Sequence, residues 1–438
     1  MRQPHGYQPP CWRAPVHLPS PGEVSISTLL SLPQAQRTGL RTGPRSGPRR
    51  AWAGPVAAWT AGRALLLAAV LGLLPFARQD VSSDVKVIYQ GWAQLLATGT
   101  FPLDDVTWQY PPLAALVMLV PSWLPWSYFT GFLVLVAVCD ALVLGLLLRA
   151  ARRGGRSAGA WLWAAAVPLL GPTAYCRFDL VVTAVAVAGL LAAGGRPRLG
   201  GALAGLGALL KVWPALTLLG TPRGPRTRDA WTAAAVSGLA VCFCCAVTMV
   251  GGFSFLGFQE DRGVEVESLG ALPFYAAHLF GWGGRAEMHY GSTEFLGTGV
   301  RAVGLLILAC TLAAFGWLLL WRVRARRWTP ATPFDAALAA LLLFTVTSRV
   351  ISPQYLVWLI GAAAVCLASA GTTQRPTAWL IAAATLCTYL EFPLLFGQLA
   401  EFRPLGVLVL CTRNLLLATA ATVSCRRLWR ATVHQKSG

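Results

Sequence analysis

An all-α polytopic membrane protein is the fold class this chain predicts, and three observations carry that reading. Of the 438 residues, 55% are hydrophobic and 12% charged, against about 45–50% and roughly 25% in an average soluble domain. Apolar runs of about 20 residues, enough to cross a bilayer, recur along the chain. Short arginine clusters separate them, as expected of cytoplasmic loops. Together these features exclude a soluble enzyme, a disordered scaffold and a coiled coil. The net charge of +19 would suggest nucleic acid in a soluble protein. Its confinement to the segments between spans points instead to membrane lipids as partners, and to no nucleic acid.

Residues 1–55 carry ten of the 29 prolines and seven arginines with no sustained hydrophobic period, a composition that cannot bury a core. Residues 1–60 therefore read as a disordered basic cytoplasmic tail, 61–425 as the membrane domain, and 426–438 as a short basic cytoplasmic tail. The first span is expected at 62–78, with Arg63 at its cytoplasmic edge. A polar outer segment, 79–110, follows. Residues 111–124 are apolar but short and bounded by Pro111, Pro112, Pro121 and Pro125, so they should lie at the interface. Further spans are expected at 127–148, 158–175, 179–194, 231–252, 301–321, 334–348, 354–370, 378–397 and 405–424. Over 199–220, a single crossing would carry Arg223, Arg226 and Arg228 outside. A hairpin broken near Lys211 and Pro214 keeps them inside and is preferred. The result is about 10–12 membrane segments in the cell membrane, with both termini cytoplasmic.

Charge then divides by side. Twelve of the 17 acids fall on the outer face, ten of them in two segments, 79–126 and 253–300. Long outer loops of this kind are uncommon unless they serve a function. A carboxylate at the lipid–water boundary can act as a general base, and arginines beside it can hold a phosphate. Acidic loops also serve simply to keep a surface solvated. Within the membrane, Asp140, Lys211 and Arg349 are costly residues that need a cavity or a partner. Asp140 fits a structural hydrogen bond as well as a functional role. The five histidines are scattered without ligand spacing, and the 11 cysteines, Cys242, Cys244 and Cys245 among them, lie mostly inside apolar runs and read as small buried residues. Asp104 and Asp105 lack a third ligand at suitable spacing. No metal site and no required cofactor follow from the sequence, which leaves a divalent metal open, and no P-loop or nucleophile elbow is present.

Six elements occur in one order: Asp84 with Tyr89 after the first span; Tyr-Pro-Pro-Leu at 110–113; Arg-Phe-Asp-Leu at 177–180; Gly205, Lys211 and Pro214; Arg262, Gly263, Glu267 and Ser268; and Ser-Pro-Gln-Tyr-Leu at 352–356. In this the chain resembles the polyprenol-phosphate-mannose-dependent α-(1→2)-mannosyltransferases of glycosyltransferase family 87, in the GT-C superfamily, over roughly residues 60–425. The resemblance implies a GT-C-type helix bundle with outer-face loop helices. It also implies an inverting transfer of a sugar, mannose, from a polyprenyl-phosphate donor to a glycolipid or cell-envelope glycan acceptor on the outer face. Asp84 matches the general base, with Asp80, one turn earlier, as the alternative. Lys211, Arg262, Arg349 and Gln354 are assigned to the donor phosphate and sugar, and Tyr89, Tyr110, Glu267 and Tyr355 to the acceptor pocket. The rival reading is a transporter or flippase of lipid-linked sugars. It would call for internal repeats and midplane charges, whereas the acids here lie mainly in loops.

Overall fold

The structure, a computed structural model, describes residues 50–74, 80–258 and 262–433. Its first helix, α1 (Arg50–Val70), begins within the expected tail and ends before residue 78. The helix runs through Arg63 because that side chain is neutralised within the bundle: its Nε donates to Asp140 Oδ2 at 2.7 Å and its Nη2 to Oδ1 at 3.0 Å. Trp59, Trp163 and Tyr175 also donate to Asp140. A buried carboxylate with this many donors is a structural node joining the helices around it. The part of the expected tail before residue 50 lies outside the described residues.

A π-helical turn, Asp84–Tyr89, leads into α2 (Gln90–Leu96). Next comes α3 (Ala114–Leu119), extended by a short 3₁₀ turn to Trp123. Its amide at Leu113 donates to Leu209 O, while Leu116 and Trp123 stay exposed, the pattern of an interfacial segment. The long α4 (Tyr128–Arg152) follows. The chain returns through α5 (Ala158–Ala166) and a 3₁₀ stretch, Val167–Ala174. Then come α6 (Asp179–Ala193) and α7 (Pro197–Leu210).

The hairpin preferred over 199–220 is present. The backbone turns extended at Lys211, and a 3₁₀ segment, Trp213–Gly220, runs back until Arg322 donates to Leu219 O and Thr221 O. Pro214 is the breaker, since the residues before a proline resist helix. Gly201 and Gly205, one turn apart on α7, let it lie directly on α8 (Pro225–Thr248). A Cβ at either glycine would collide with the α8 backbone at Ala230 or Ala234, the close approach that small-xxx-small spacing permits in membranes.

The second outer segment holds α9 (Phe255–Phe258), α10 (Leu272–His278) and a three-stranded antiparallel sheet of order β1-β3-β2. Its strands are β1 (Val264–Glu265), β2 (Arg285–His289) and β3 (Ser292–Leu296). The β2–β3 loop is Tyr290-Gly291 with φ of 46° and 76°, the doubly left-handed turn that suits a hairpin's twist. This sheet departs from the purely helical expectation. The rest is helical: α11 (Val300–Arg324), α12 (Thr332–Val346), α13 (Tyr355–Ala368), α14 (Arg375–Tyr389), α15 (Phe396–Ala400) and α16 (Pro404–Thr432). The last helix takes in most of the residues expected to form the C-terminal tail.

Among the described residues, six helical stretches are long and apolar enough to cross a membrane, and shorter apolar helices such as α6, α12 and α13 fill the interior between them. The chain is a mostly α-helical, multi-pass membrane protein. One end of the bundle gathers Arg149, Arg152, Arg223, Arg322, Arg324 and Arg427; the other carries the loops with the acids.

Candidate active site

Local capping builds the first wall. Asp80 accepts hydrogen bonds from Ser82 N at 2.9 Å and Ser82 Oγ at 2.6 Å, turning the chain into the helical segment that opens at Asp84. The Ser82 hydroxyl holds the Asp80 carboxyl below its ordinary pKa. Asp80 is thus a turn-forming residue, and it does not share a helical face with Asp84. Asp84 Oδ2 lies 2.9 Å from Arg177 Nη2. Arg177 is fixed in turn by Val81 O and Cys176 O.

The second wall comes from the first turn of α6 and the end of α7. Lys211 Nζ lies 2.7 Å from Asp179 Oδ1, and Trp358 Nε1 donates to the same oxygen at 2.6 Å. Four rings surround the ammonium: Phe178 at 4.7 Å, Trp358 at 5.1 Å, Tyr110 at 5.3 Å and Tyr355 at 5.7 Å from their centroids. Aromatic faces stabilise a desolvated cation, and the carboxylate supplies its counter-charge. Tyr110 packs edge-on to Phe178, and Tyr355 stacks on Trp358 at 3.9 Å. Burial pushes the Tyr110 hydroxyl well up, with Asp179, Arg177, Asp84 and Arg262 all close enough to act on it. Tyr89 is 2% exposed and stacked on Trp92, so its ring forms the wall behind the site and is no open acceptor surface.

The third wall is β1 with the break between α12 and α13. Glu265 Oε2 accepts from Ile351 N at 2.6 Å, and Arg349 Nη1 donates to Arg262 O at 2.7 Å. Arg262 pairs with Glu294 at 3.4 Å and donates to Ser292 Oγ at 2.7 Å. Burial raises the Glu265 carboxyl to about 7, against the pull of Arg262. Gln354 is half-buried at the start of α13. Among the described residues, Arg349 makes no ion pair with a carboxylate.

The structure thus brings Asp84, Tyr110, Lys211, Arg262, Arg349 and Tyr355 to one end of the bundle. It separates Glu267 from them. That side chain is buried beside Glu391 and Arg413, with Arg413 Nη2 3.6 Å from Glu391 and 4.0 Å from Glu267. Burial, then Glu391, pushes the Glu267 carboxyl well above its ordinary range. Arg413 and Asn414 also bond to Glu267 O, so Glu267 anchors its loop to α16 and lines no acceptor pocket. Two site residues carried no role in the sequence reading: Asp179, the partner of Lys211, and Arg177, the partner of Asp84. Both lie in the Arg-Phe-Asp-Leu element, where two opposite charges beside a span were the available signal. Asp105 accepts from Trp92 Nε1 at 2.7 Å and from Thr107 N at 2.9 Å. Among the described residues no group of three or more His, Cys, Asp or Glu could hold a metal ion.

Residues 108–353, more than half of the chain, match the model of glycosyltransferase family 87. The matched region takes in Tyr110, Arg177, Asp179, Lys211, Arg262 and Arg349; Asp84, Gln354 and Tyr355 lie outside it. No curated protein matches the chain. Among solved structures, it is similar to ArnT from Cupriavidus metallidurans bound to undecaprenyl phosphate, at 15% identity and a TM-score of 0.41, over 88% of this chain and 77% of that one. That likeness is too distant to transfer anything from one protein to the other.

Proposed function

The chain belongs to glycosyltransferase family 87, and from that premise we propose that it moves a mannosyl residue from a polyprenyl-phosphate carrier to a glycolipid or cell-envelope glycan. In this reading the carboxylate end of the bundle faces outward and the arginine end lies in the cytoplasm. The acceptor hydroxyl oxygen forms a bond to the anomeric carbon and the bond to the phosphate oxygen breaks. The hydroxyl proton goes to Asp84, and the polyprenyl phosphate leaves with the electron pair. Attack and departure on opposite faces invert the centre and need no second, nucleophilic carboxylate.

One observation carries the choice of base. Of the four described acids grouped around this site, Asp179, Glu265 and Glu294 are at most 3% exposed, while the Asp84 side chain is 32% exposed. A base must reach the proton it takes. Asp84 is also held by Arg177, which fixes its direction. On the leaving side, Arg262 and Arg349 are tied together through Arg262 O, and Arg349 is the site cation left without an acidic partner among the described residues. It is therefore assigned to the departing phosphate, where fixed positive charge has the larger effect on rate. Lys211, already neutralised by Asp179, contributes a preorganised dipole and the aromatic wall on which a sugar face can pack.

The test is transfer from labelled polyprenyl-phosphate mannose in membranes holding the protein, with products read in the extracted glycolipids. Asp84→Asn is expected to lower transfer about 10²–10⁴-fold. Asp80→Asn, which keeps an oxygen for Ser82, is expected to stay close to wild type. Wild-type transfer by Asp84→Asn removes it as the base, and mannose-free transfer from another polyprenyl-phosphate sugar corrects the donor.

A further inference from the structure

A groove of about 530 Å³ opens between α11, α12 and α16, away from the carboxylate site. It exists because α11 stands off the bundle: of its 25 residues, Ile307, Leu318 and Trp321 are the buried ones. The inner wall is made of small residues of α16, Ala418, Ala421 and Cys425, with Leu343 and Val346 of α12 at its far end. At the arginine-rich end the groove is lined by Arg426 and Arg430, one turn apart on one helix face.

Both guanidiniums are exposed, and neither has a hydrogen-bond or ion-pair partner among the described residues. Their neighbour Arg427 differs. It donates to Thr373 O at 3.2 Å and does not line the groove. Trp317 of α11 and Trp429 of α16 meet at 6.0 Å between ring centroids at the same end, and tryptophan collects at the headgroup level of a bilayer. From Ala418 to Arg430 the helix rises about 18 Å, at roughly 1.5 Å per residue. One leaflet of hydrocarbon is about half of a ~30 Å core. The groove therefore has the length of one leaflet, an apolar floor, and two unneutralised cations where a headgroup phosphate would lie.

We propose that this groove is a binding site for an anionic phospholipid of the leaflet at the arginine-rich end, its acyl chain between α11 and α16 and its phosphate held by Arg426 and Arg430. Basic pockets between membrane helices select anionic headgroups by charge and by paired donors. The site is separate from glycosyl transfer and does not depend on the identity of the donor sugar.

The full chain reconstituted in nanodiscs of equal phosphatidylglycerol and phosphatidylcholine, then stripped gradually in detergent and read by native mass spectrometry, tests this. Wild type is expected to retain one phosphatidylglycerol in preference to phosphatidylcholine. The pair Arg426→Gln and Arg430→Gln should weaken that retention roughly 30-fold, about what two surface arginines contribute. Thr422→Trp, which fills the groove and leaves both arginines in place, should also lose the lipid, and it covers the case in which the double variant fails to fold. Arg427→Gln should keep it. Equal retention of the two lipids by wild type, unchanged retention in the arginine pair, or an equal loss in Arg427→Gln would each overturn the site.

Discussion

At the arginine-rich end of the bundle, guanidiniums bond to backbone carbonyls and remain in the open: Arg223 reaches Arg322 O and Val323 O, Arg322 reaches Leu219 O and Thr221 O, and Arg427 reaches Thr373 O. Several of these carbonyls belong to helix C-termini, where a cation is favoured by the backbone dipoles. At the opposite end each of four cations meets a carboxylate: Arg177 with Asp84, Lys211 with Asp179, Arg262 with Glu294, and Arg413 with Glu391. These lie at or below the surface, in lower dielectric, so removing one member leaves an uncompensated charge. At the first end Arg198 pairs with Asp229 at 3.6 Å, with Arg198 81% exposed. The difference teaches that excess charge alone does not mark function in such a chain. Exposed arginines here cap helices, whereas the buried pairs of opposite sign gather at the other end, around the candidate site.

The sharpest way to break this contrast is at Lys211 and Asp179. Lys211→Met or Asp179→Asn alone should cost about 3–5 kcal/mol of stability by leaving its partner buried and unpaired. The double variant should recover most of that, because Asn at 179 can still accept from Trp358. Thermal unfolding in detergent reads the first effect and membrane transfer the second. Recovery of stability without recovery of transfer assigns the pair to the chemistry. Recovery of both reduces it to scaffold and narrows the site to Asp84, Arg177, Arg262 and Arg349.

Much of this division was legible in sequence, for a physical reason. Arginine clusters and 20-residue apolar runs are local properties, so the long apolar helices and the hairpin broken at Lys211 could be read one by one. Pairing is not local. Arg63 and Asp140 lie 77 residues apart, and nothing near Arg63 shows that it is neutralised inside the bundle instead of marking its edge. The same holds for Glu267, whose partners Glu391 and Arg413 come from α14–α16 and sat unremarked in apolar runs. The small sheet escaped because two five-residue strands in a long loop give little periodicity, although the Tyr-Gly turn was there to be seen. Asp84 was singled out by its place in a pattern; that it is the accessible acid of its group among the described residues is a fact of packing.

A second test sharpens the carboxylate end through pH. Glu265 is raised to about 7 from its ordinary 4.5, chiefly by burial, with Arg262, Arg413, Glu391 and the Ile351 amide also acting on it. Between those two values the folded chain holds a proton that the unfolded chain has released, so stability should fall as pH rises through this window and level off above it. The loss is of order 3 kcal/mol for such a shift. Glu265→Gln retains an acceptor for Ile351 N and should remove this part of the slope, leaving that from Glu267. Unfolding measured at pH 5 and pH 8 checks it; an unchanged slope would mean that Glu265 is ionised in the folded protein throughout.

The smallest effect is expected at the arginine end, and its smallness is what the comparison requires. Arg223→Gln removes a charge that caps the last carbonyls of α11 from an exposed position. Such a contact contributes about 0.3–1 kcal/mol and is screened by salt. Glutamine keeps one donor for Arg322 O or Val323 O, so even that loss is partial. Unfolding should therefore shift slightly at low ionic strength and hardly at all in high salt, while transfer from labelled donor stays at the wild-type rate. A large fall in transfer with intact folding would show that charge at this end reaches the chemistry, and the separation of the two ends would no longer hold.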